Sequence, residues 1–303
     1  MKPDAPPAVP EQPAAPAAAC VACFSPTVFF GARKGYRYHR CTRCGTLQIT
    51  PLPNKEELDE AYAKLYASAN HISGDAEFYT TVWSAYFDHM LGLIRAYCAS
   101  GRITEIGAGW GVLAEKLIRA GYAYEGIDLN RDMCEHCISR GLPVKQGGIE
   151  QLEGRQRDLI VMAQVFEHLV QHDQWLDKLE TLLPRGAIFI TAQPTAHFPL
   201  FFGTLFRLGI RSLPLPQLHV ILTPPWHTVL FSIEGMRILL ARHGFELIDI
   251  QPAPQQRDKG LNGLLQRILQ MVNRGGWKIA ATKWPLVTGH ICVFRKTAEQ
   301  ESD

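Results

Sequence analysis

The chain has 303 residues, 47% of them hydrophobic and 20% charged, an ordinary globular composition with length for one large domain or two smaller ones. Lys and Arg number 31 against 29 Asp and Glu, a near balance that argues against a polyanion-binding surface all round and leaves room only for a local basic patch. No run of 18 apolar residues occurs, so no membrane-spanning helix is expected.

The first nineteen residues hold six Pro and seven Ala with Lys2, Asp4 and Glu11 among them. They lack the apolar block of an export signal and read as a disordered leader. A cytoplasmic location follows as an expectation, with the eight cysteines as thiols or metal ligands rather than disulfides. Cys20-x2-Cys23 and Cys41-x2-Cys44 are separated by seventeen residues. Each pair can present two thiolates on one tight turn, and two facing turns complete a tetrahedral, structural zinc shell with no position open for water. Residues 20–53 therefore read as a zinc-ribbon-like module closed by Pro51-Leu52-Pro53. Cys134 and Cys137 imitate a third pair but fall in a predicted helix without a partner pair.

Residues 54–100 read as a helical cap. Asn54 followed by Glu57 has the form of a capping box, Leu58, Tyr62, Leu65 and Tyr66 keep helical spacing, and Trp83, Phe87, Leu91 and Ile94 continue it over 76–98. Beyond Gly101 short apolar strands are predicted at 102–106, 123–128, 143–146, 157–163, 186–192, 245–250 and 288–295. Helices fit at 111–120, 131–140 and 173–183, and Ser232 should cap a further one. This βαβ repeat is the pattern of an α/β, doubly wound, mostly parallel sheet. Two insertions interrupt it: the apolar, aromatic 194–231, expected to pack on something and read as a cover over an acceptor, and 253–287. The latter carries six basic residues against Asp258 and places Leu261, Leu264, Leu265, Ile268, Leu269 and Val272 on one helical face, a form suited to covering the sheet or resting on an anionic membrane.

Gly107, Gly109 and Gly111 lie where the first of those strands meets its helix, a turn that lets a ligand approach the backbone. Val112 stands where a dinucleotide fingerprint needs its third glycine. Asp128, at the end of the next strand, can accept both hydroxyls of a ribose. Loop and acid make an adenosine site. Ile103–Gly111, Tyr124–Asn130, Arg157–Leu169 and Leu182–Thr191 resemble the class I methyltransferases that use S-adenosylmethionine, over about Phe78 to Lys296. The resemblance implies a seven-stranded sheet of order 3-2-1-4-5-7-6, with Gly107, Gly109 and Gly111 around the methionine end of the cofactor. It also implies that Glu105 fixes the ammonium indirectly, Asp128 holds the ribose, Leu129 and Ile149 sandwich the adenine and Gln164 lies near the methionine end. Where many relatives carry an Asp after the third strand, this chain has Gly147-Gly148-Ile149-Glu150.

Glu167-His168 follows the fourth strand at the ligand-binding edge, and His227 comes from the apolar insertion. Either histidine could act as general base. In the small-RNA and ubiquinone-pathway O-methyltransferases a Glu-x-x-Glu-His pattern plus a later His binds a divalent ion; here Gln164 replaces the first carboxylate, which weakens a hard-cation site. The front module joined to this core resembles bacterial enzymes acting on nucleotide-linked sugars, cell-surface glycans or secondary metabolites. The expected function is methyl transfer to a small-molecule acceptor, possibly nucleotide- or lipid-linked. A zinc-containing RNA methyltransferase and a non-catalytic scaffold in glycan assembly are the alternatives, the first disfavoured by the near-neutral charge.

Overall fold

The computed structural model describes residues 18–67, 76–154, 157–207, 221–254 and 260–297. The leader through residue 17, the 208–220 part of the apolar insertion, and the side chains of Leu65, Tyr66, Leu261, Leu264 and Leu265 lie outside what it describes.

Chain order begins with β1 (Thr27–Arg33), β2 (Tyr36–Cys41) and β3 (Leu47–Thr50), then α1 (Lys55–Ala67) and α2 (Ala76–Tyr97). The βαβ body follows as β4 (Arg102–Ile106), α3 (Val112–Arg119), β5 (Ala123–Asp128), α4 (Arg131–Ser139), β6 (Val144–Gln146), β7 (Leu159–Ala163), α5 (His172–Leu182) and β8 (Ile188–Pro194). After α6 (His197–Arg207) and β9 (Val229–Leu230) the chain closes with α7 (Ile233–Arg242), β10 (Phe245–Pro252), α8 (Gly260–Ala280) and β11 (Gly289–Lys296).

The large sheet runs β10-β11-β8-β7-β4-β5-β6. Numbered within that sheet, this is the expected 3-2-1-4-5-7-6, with every pairing parallel except those of β11. Strand β8 is buried along its whole length, as a strand covered on both faces must be. One covering layer brings α2 and α3 onto Ile103, Leu159, Val161 and Ile190; the other packs α5 and α7 onto Ile160, Phe189 and Phe294.

Local signals set the helix starts. Asn54 and Glu57 exchange side-chain-to-amide bonds of 2.9 Å each, a complete capping box for α1. Asn130 caps α4 and Ser232 caps α7. Cys134 and Cys137 are buried helix residues beneath the glycine turn, as expected.

The partner of the front strands is not visible in sequence. Strand β9, from the end of the apolar insertion, adds to β3 with Leu47 opposite Leu230 and Gln48 opposite Val229, completing a four-stranded sheet β1-β2-β3-β9. Phe198 and Phe202 of α6 are buried against Leu47, Ile221 and Leu230. The described part of the insertion is thus a packed layer beneath the front module, and the apolar content that demanded a packing partner has found one. α8 also runs on past Val272, the last residue of the expected apolar face, to Ala280.

Ser232 ties these layers together: its hydroxyl accepts from the Gly235 amide at 2.9 Å and donates to the Cys44 carbonyl. Replacement by Ala removes both a cap and a buried bond. Ser232→Ala should lower unfolding free energy by about 1–3 kcal/mol in urea titration, and an unchanged midpoint would contradict the assigned link.

Candidate functional site

The turn after β4 is held open by backbone conformation. Gly107, Gly109 and Gly111 have φ of 80°, 52° and 76°, values that favour glycine. Two of the three are also crowded: a Cβ on Gly107 would run into Val165, and one on Gly111 would meet Leu142 and Cys137. A Cβ on Gly109 would meet nothing within 4 Å, so that glycine presents bare backbone to open space, as a ligand cradle requires.

Asp128 closes the far side. Its carboxylate accepts from the amides of Gly109 and Asn130, both at 2.8 Å, and burial nevertheless pushes its pKa upward against those bonds. Glu105 is 1% exposed and accepts from the Tyr124 hydroxyl at 2.6 Å. Burial raises its pKa to about 8, offset in part by that bond. A carboxylate kept in so apolar a place is suited to a cationic partner. Leu129, next in chain, is 74% exposed, a large apolar side chain standing beside Asp128 with room for a flat ring. Ile149 is buried on the adjoining loop, which the Gly147 amide fastens to the Asp128 carbonyl at 2.8 Å. Glu150 is exposed on the same turn.

The second group lies after β7. Gln164 has φ 60°, a left-handed conformation uncommon for a residue with a side chain, and its amide reaches the Tyr86 hydroxyl and the Ala192 carbonyl at 3.5 and 3.4 Å. His168 Nδ1 lies 2.7 Å from the Trp226 carbonyl and His227 Nδ1 lies 2.6 Å from the Ile221 carbonyl. A carbonyl can only accept, so each Nδ1 carries the proton and each Nε2 keeps its lone pair. The two rings are 5.1 Å apart. Burial, with the neighbouring His227, lowers the His168 pKa to about 3; burial lowers that of His227 as well.

Glu167 is fully buried and neither carboxylate oxygen has a hydrogen-bond partner; burial lifts its pKa to about 8. The ligand atoms of Glu167, His168 and His227 fall within 4.8 Å of one another. Tyr62 reaches over His168 with ring centroids 6.0 Å apart, and Lys34 of the β1–β2 turn sits over the Trp226 ring at 5.8 Å. Sequence reasoning did not assign Trp226, Lys34 or Tyr86 to the site, and only the aromatic content of 76–98 pointed towards Tyr86.

The four front cysteines converge. All are buried thiols, with Sγ–Sγ distances of 3.6 Å for Cys20–Cys44 and 3.4 Å for Cys23–Cys41. A disulfide needs about 2.05 Å, whereas a tetrahedral zinc with bonds of about 2.3 Å spaces its sulfurs by roughly 3.8 Å. Amides of Ala22, Arg43 and Cys44 point at Cys20 or Cys41 sulfur at 3.4 Å, as donors around a thiolate would. The donor set fits zinc.

A Rossmann-like sheet with an open glycine turn, a buried acid beneath it and a second acid at the end of the next strand defines a methyltransferase fold of the S-adenosylmethionine-using kind. The chain belongs to the methyltransferase-domain family, whose sequence model matches residues 82–250, and it is an S-adenosylmethionine-dependent methyltransferase. No curated protein matches it. Among solved structures it is similar in fold to the 1,6-didemethyltoxoflavin-N1-methyltransferase of Burkholderia thailandensis, at 13% identity and a TM-score of 0.52, over 89% of this chain and 99% of that one. An S-adenosylmethionine-dependent methyltransferase from Archaeoglobus fulgidus matches at 15% identity and 0.47, over 73% and 100%.

The buried Glu105 makes a pH test available. Its folded pKa of about 8 lies above its ordinary 4.5, so the stability it contributes is fully present below about 4.5 and is lost as pH rises through about 8. In thermal melts of cofactor-free protein, Glu105→Gln should flatten the loss of stability between those limits. Parallel wild-type and variant profiles would contradict the assigned burial.

Proposed function

We propose that this methyltransferase acts on a small-molecule acceptor, a sugar, glycan or metabolite in free, nucleotide-linked or lipid-linked form, and that His168 receives the acceptor's proton. The observation that carries the reading is the pair of imidazoles whose Nδ1 protons are committed to carbonyls, leaving two basic nitrogens at the edge where the sheet binds ligands. Gly107, Gly109, Gly111 and Asp128 would hold the cofactor, with Glu105 towards its ammonium, Gln164 near the methionine end, and Leu129 and Ile149 on either side of the adenine. The cofactor supplies an electrophilic methyl on a sulfonium.

The chain's own part is alignment and proton removal. The bound cofactor would supply the methyl group and keep the bonding pair on its sulfur, and Nε2 of His168 would take the acceptor's proton. Much of the rate then rests on holding the acceptor in line in a site closed to water. The low pKa keeps His168 unprotonated near neutral pH, ready to accept, at the cost of base strength. Aromatic side chains around it, Tyr62 and Trp226 among them, favour a compact acceptor over a polyanion groove.

A second reading of the same three residues is favoured by Glu167, whose two buried oxygens lack partners. With each Nδ1 held by a backbone carbonyl, Trp226 for His168 and Ile221 for His227, Glu167 and the two Nε2 atoms could hold a divalent cation beside the acceptor. Gln164 in place of a further carboxylate weakens that set for hard ions. The front cysteines would hold one structural zinc ion, and residues 20–53 would act as a brace for the insertion that carries His227.

Calorimetry with S-adenosylmethionine and its demethylated product is the first test, with Asp128→Ala expected to weaken binding at least about tenfold by loss of buried hydrogen bonds. Transfer of labelled methyl to low-molecular-weight, lipid and RNA fractions of a cell extract should then mark the first or second and spare RNA. The double variant His168→Ala, His227→Ala should lose turnover while cofactor affinity stays within a few-fold. Retained turnover removes both histidines from the mechanism. Addition of a chelator that abolishes turnover without releasing zinc favours the cation reading.

Zinc itself gives a separate prediction. Metal analysis should find one zinc per chain, and Cys23→Ser with Cys41→Ser should release it and lower the melting temperature. Full thermal stability in a metal-free variant would reject the structural role.

A further inference from the structure

Among the described residues, none covers one face of helix α8. Its inner side is fixed to the body: Asn273 accepts from the Trp284 indole at 3.0 Å, Gly276 is pressed against the same indole, and the Trp277 ring lies 5.5 Å from that of His290. On the outer side Ile268, Met271, Val272 and Ile279 are 51%, 72%, 46% and 90% exposed. Positions 268, 272, 275 and 279 are spaced by four, three and four residues, so Ile268, Val272 and Ile279 share one stripe with Gly275 between them, and Met271 borders it. Leaving that much aliphatic surface in water is unfavourable unless something covers it.

The charges beside the stripe say what the cover is. Arg267, Arg274 and Lys278 each precede a member of the stripe by one position, which puts them in a parallel row about 100° round the helix. All three are exposed, and no carboxylate among the described residues pairs with them. From Lys259 through residue 298 the sequence contains no Asp or Glu. A second copy of this face would bring cations onto cations. A row of cations flanking an aliphatic stripe suits instead a surface that is anionic outside and apolar beneath.

We propose that α8 docks the enzyme on an anionic lipid bilayer, with Ile268, Met271, Val272 and Ile279 entering the headgroup region and Arg267, Arg274 and Lys278 lying against lipid phosphates. The helix follows the carboxyl end of β10 and precedes β11, whose first residue Gly289 pairs with Pro194 at the carboxyl end of β8. It therefore hangs from the sheet edge that carries His168, and docking brings that edge towards the membrane. The inference does not depend on which acceptor is methylated, because vesicle binding is measured without turnover.

The test is co-sedimentation of the full chain with phosphatidylcholine vesicles, with and without phosphatidylglycerol, at low and high salt. Wild type should sediment with the anionic vesicles only, and less so at high salt. Arg267→Glu with Arg274→Glu, and separately Met271→Asp with Ile279→Asp, should each partition at least about tenfold more weakly. Unchanged melting curves and calorimetry with S-adenosylmethionine would establish that the variants are folded. The proposal is overturned if wild type stays in the supernatant with anionic vesicles, or if folded variants bind as wild type does. It is equally overturned if analytical ultracentrifugation finds a dimer that Met271→Asp with Ile279→Asp dissolves while vesicle binding is absent, since a second copy then covers the face.

Discussion

Thr228 is the residue through which the two sheets of this enzyme share one geometry. Its amide and hydroxyl both donate to the Glu167 carbonyl, at 2.9 and 3.0 Å, and the hydroxyl also reaches the Leu169 carbonyl at 2.6 Å. Its own carbonyl accepts from Ile49 at 2.9 Å, and the next two residues are β9. One fully buried side chain therefore clamps the loop bearing Glu167 and His168 to the strand that completes the front sheet. The preceding residues, Trp226 and His227, are positioned by the same clamp, so the spacing of the two imidazoles depends on how the front module is seated.

This gives the cysteine cluster a physical connection to the chemistry without placing it there. The second cysteine turn is bonded to the cap of α7 through Ser232, whose hydroxyl meets the Cys44 carbonyl, and the first is bonded to Arg242, whose guanidinium donates to the Ala22 carbonyl at 2.6 Å. A small sheet of this size buries too little apolar surface to hold itself rigid, and a cluster of four inward thiols offers the cross-link it lacks. Rigidity there is transmitted through β3 and β9 to Thr228, and from Thr228 to the histidines.

What the sequence disclosed and what it withheld divide along the range of the interactions. The glycine turn, Asp128 and the caps at Asn54 and Ser232 rest on residues close in sequence, and each is where local pattern placed it. The strand order was implied by the resemblance to class I methyltransferases, since its pairings, such as Ile103 with Leu159 and Thr191 with Cys292, join distant segments. The two cysteine turns were legible because a Cys-x2-Cys spacing places two thiols on one turn, and the structure brings the four sulfurs together. The pairing of β3 with β9 was not: Leu47 and Leu230 meet across most of the chain, a two-residue strand carries no periodicity, and the insertion's apolar content specified burial without naming a partner. The low basicity of His168 was equally hidden, since only the assembled pocket desolvates the ring.

The acceptor edge is also where the structure departs furthest from what folding alone would favour. Gln164 is held in a left-handed backbone conformation, Glu167 keeps two buried oxygens without donors, and the Trp226 indole nitrogen is likewise without a partner. Each is individually unfavourable by an amount on the order of 1–3 kcal/mol, and they lie on two loops, Gln164 and Glu167 beside His168 and Trp226 beside His227. Buried polar atoms elsewhere are paired in places, as in Arg157 with Thr104 and Glu125, and unpaired in others, as in Tyr38, His39, His197 and His290. What sets this edge apart is a fully buried carboxylate with both oxygens unpaired beside two imidazoles. The groups left unpaired are a carboxylate, which needs a proton or a cation, and an indole donor, which needs an oxygen.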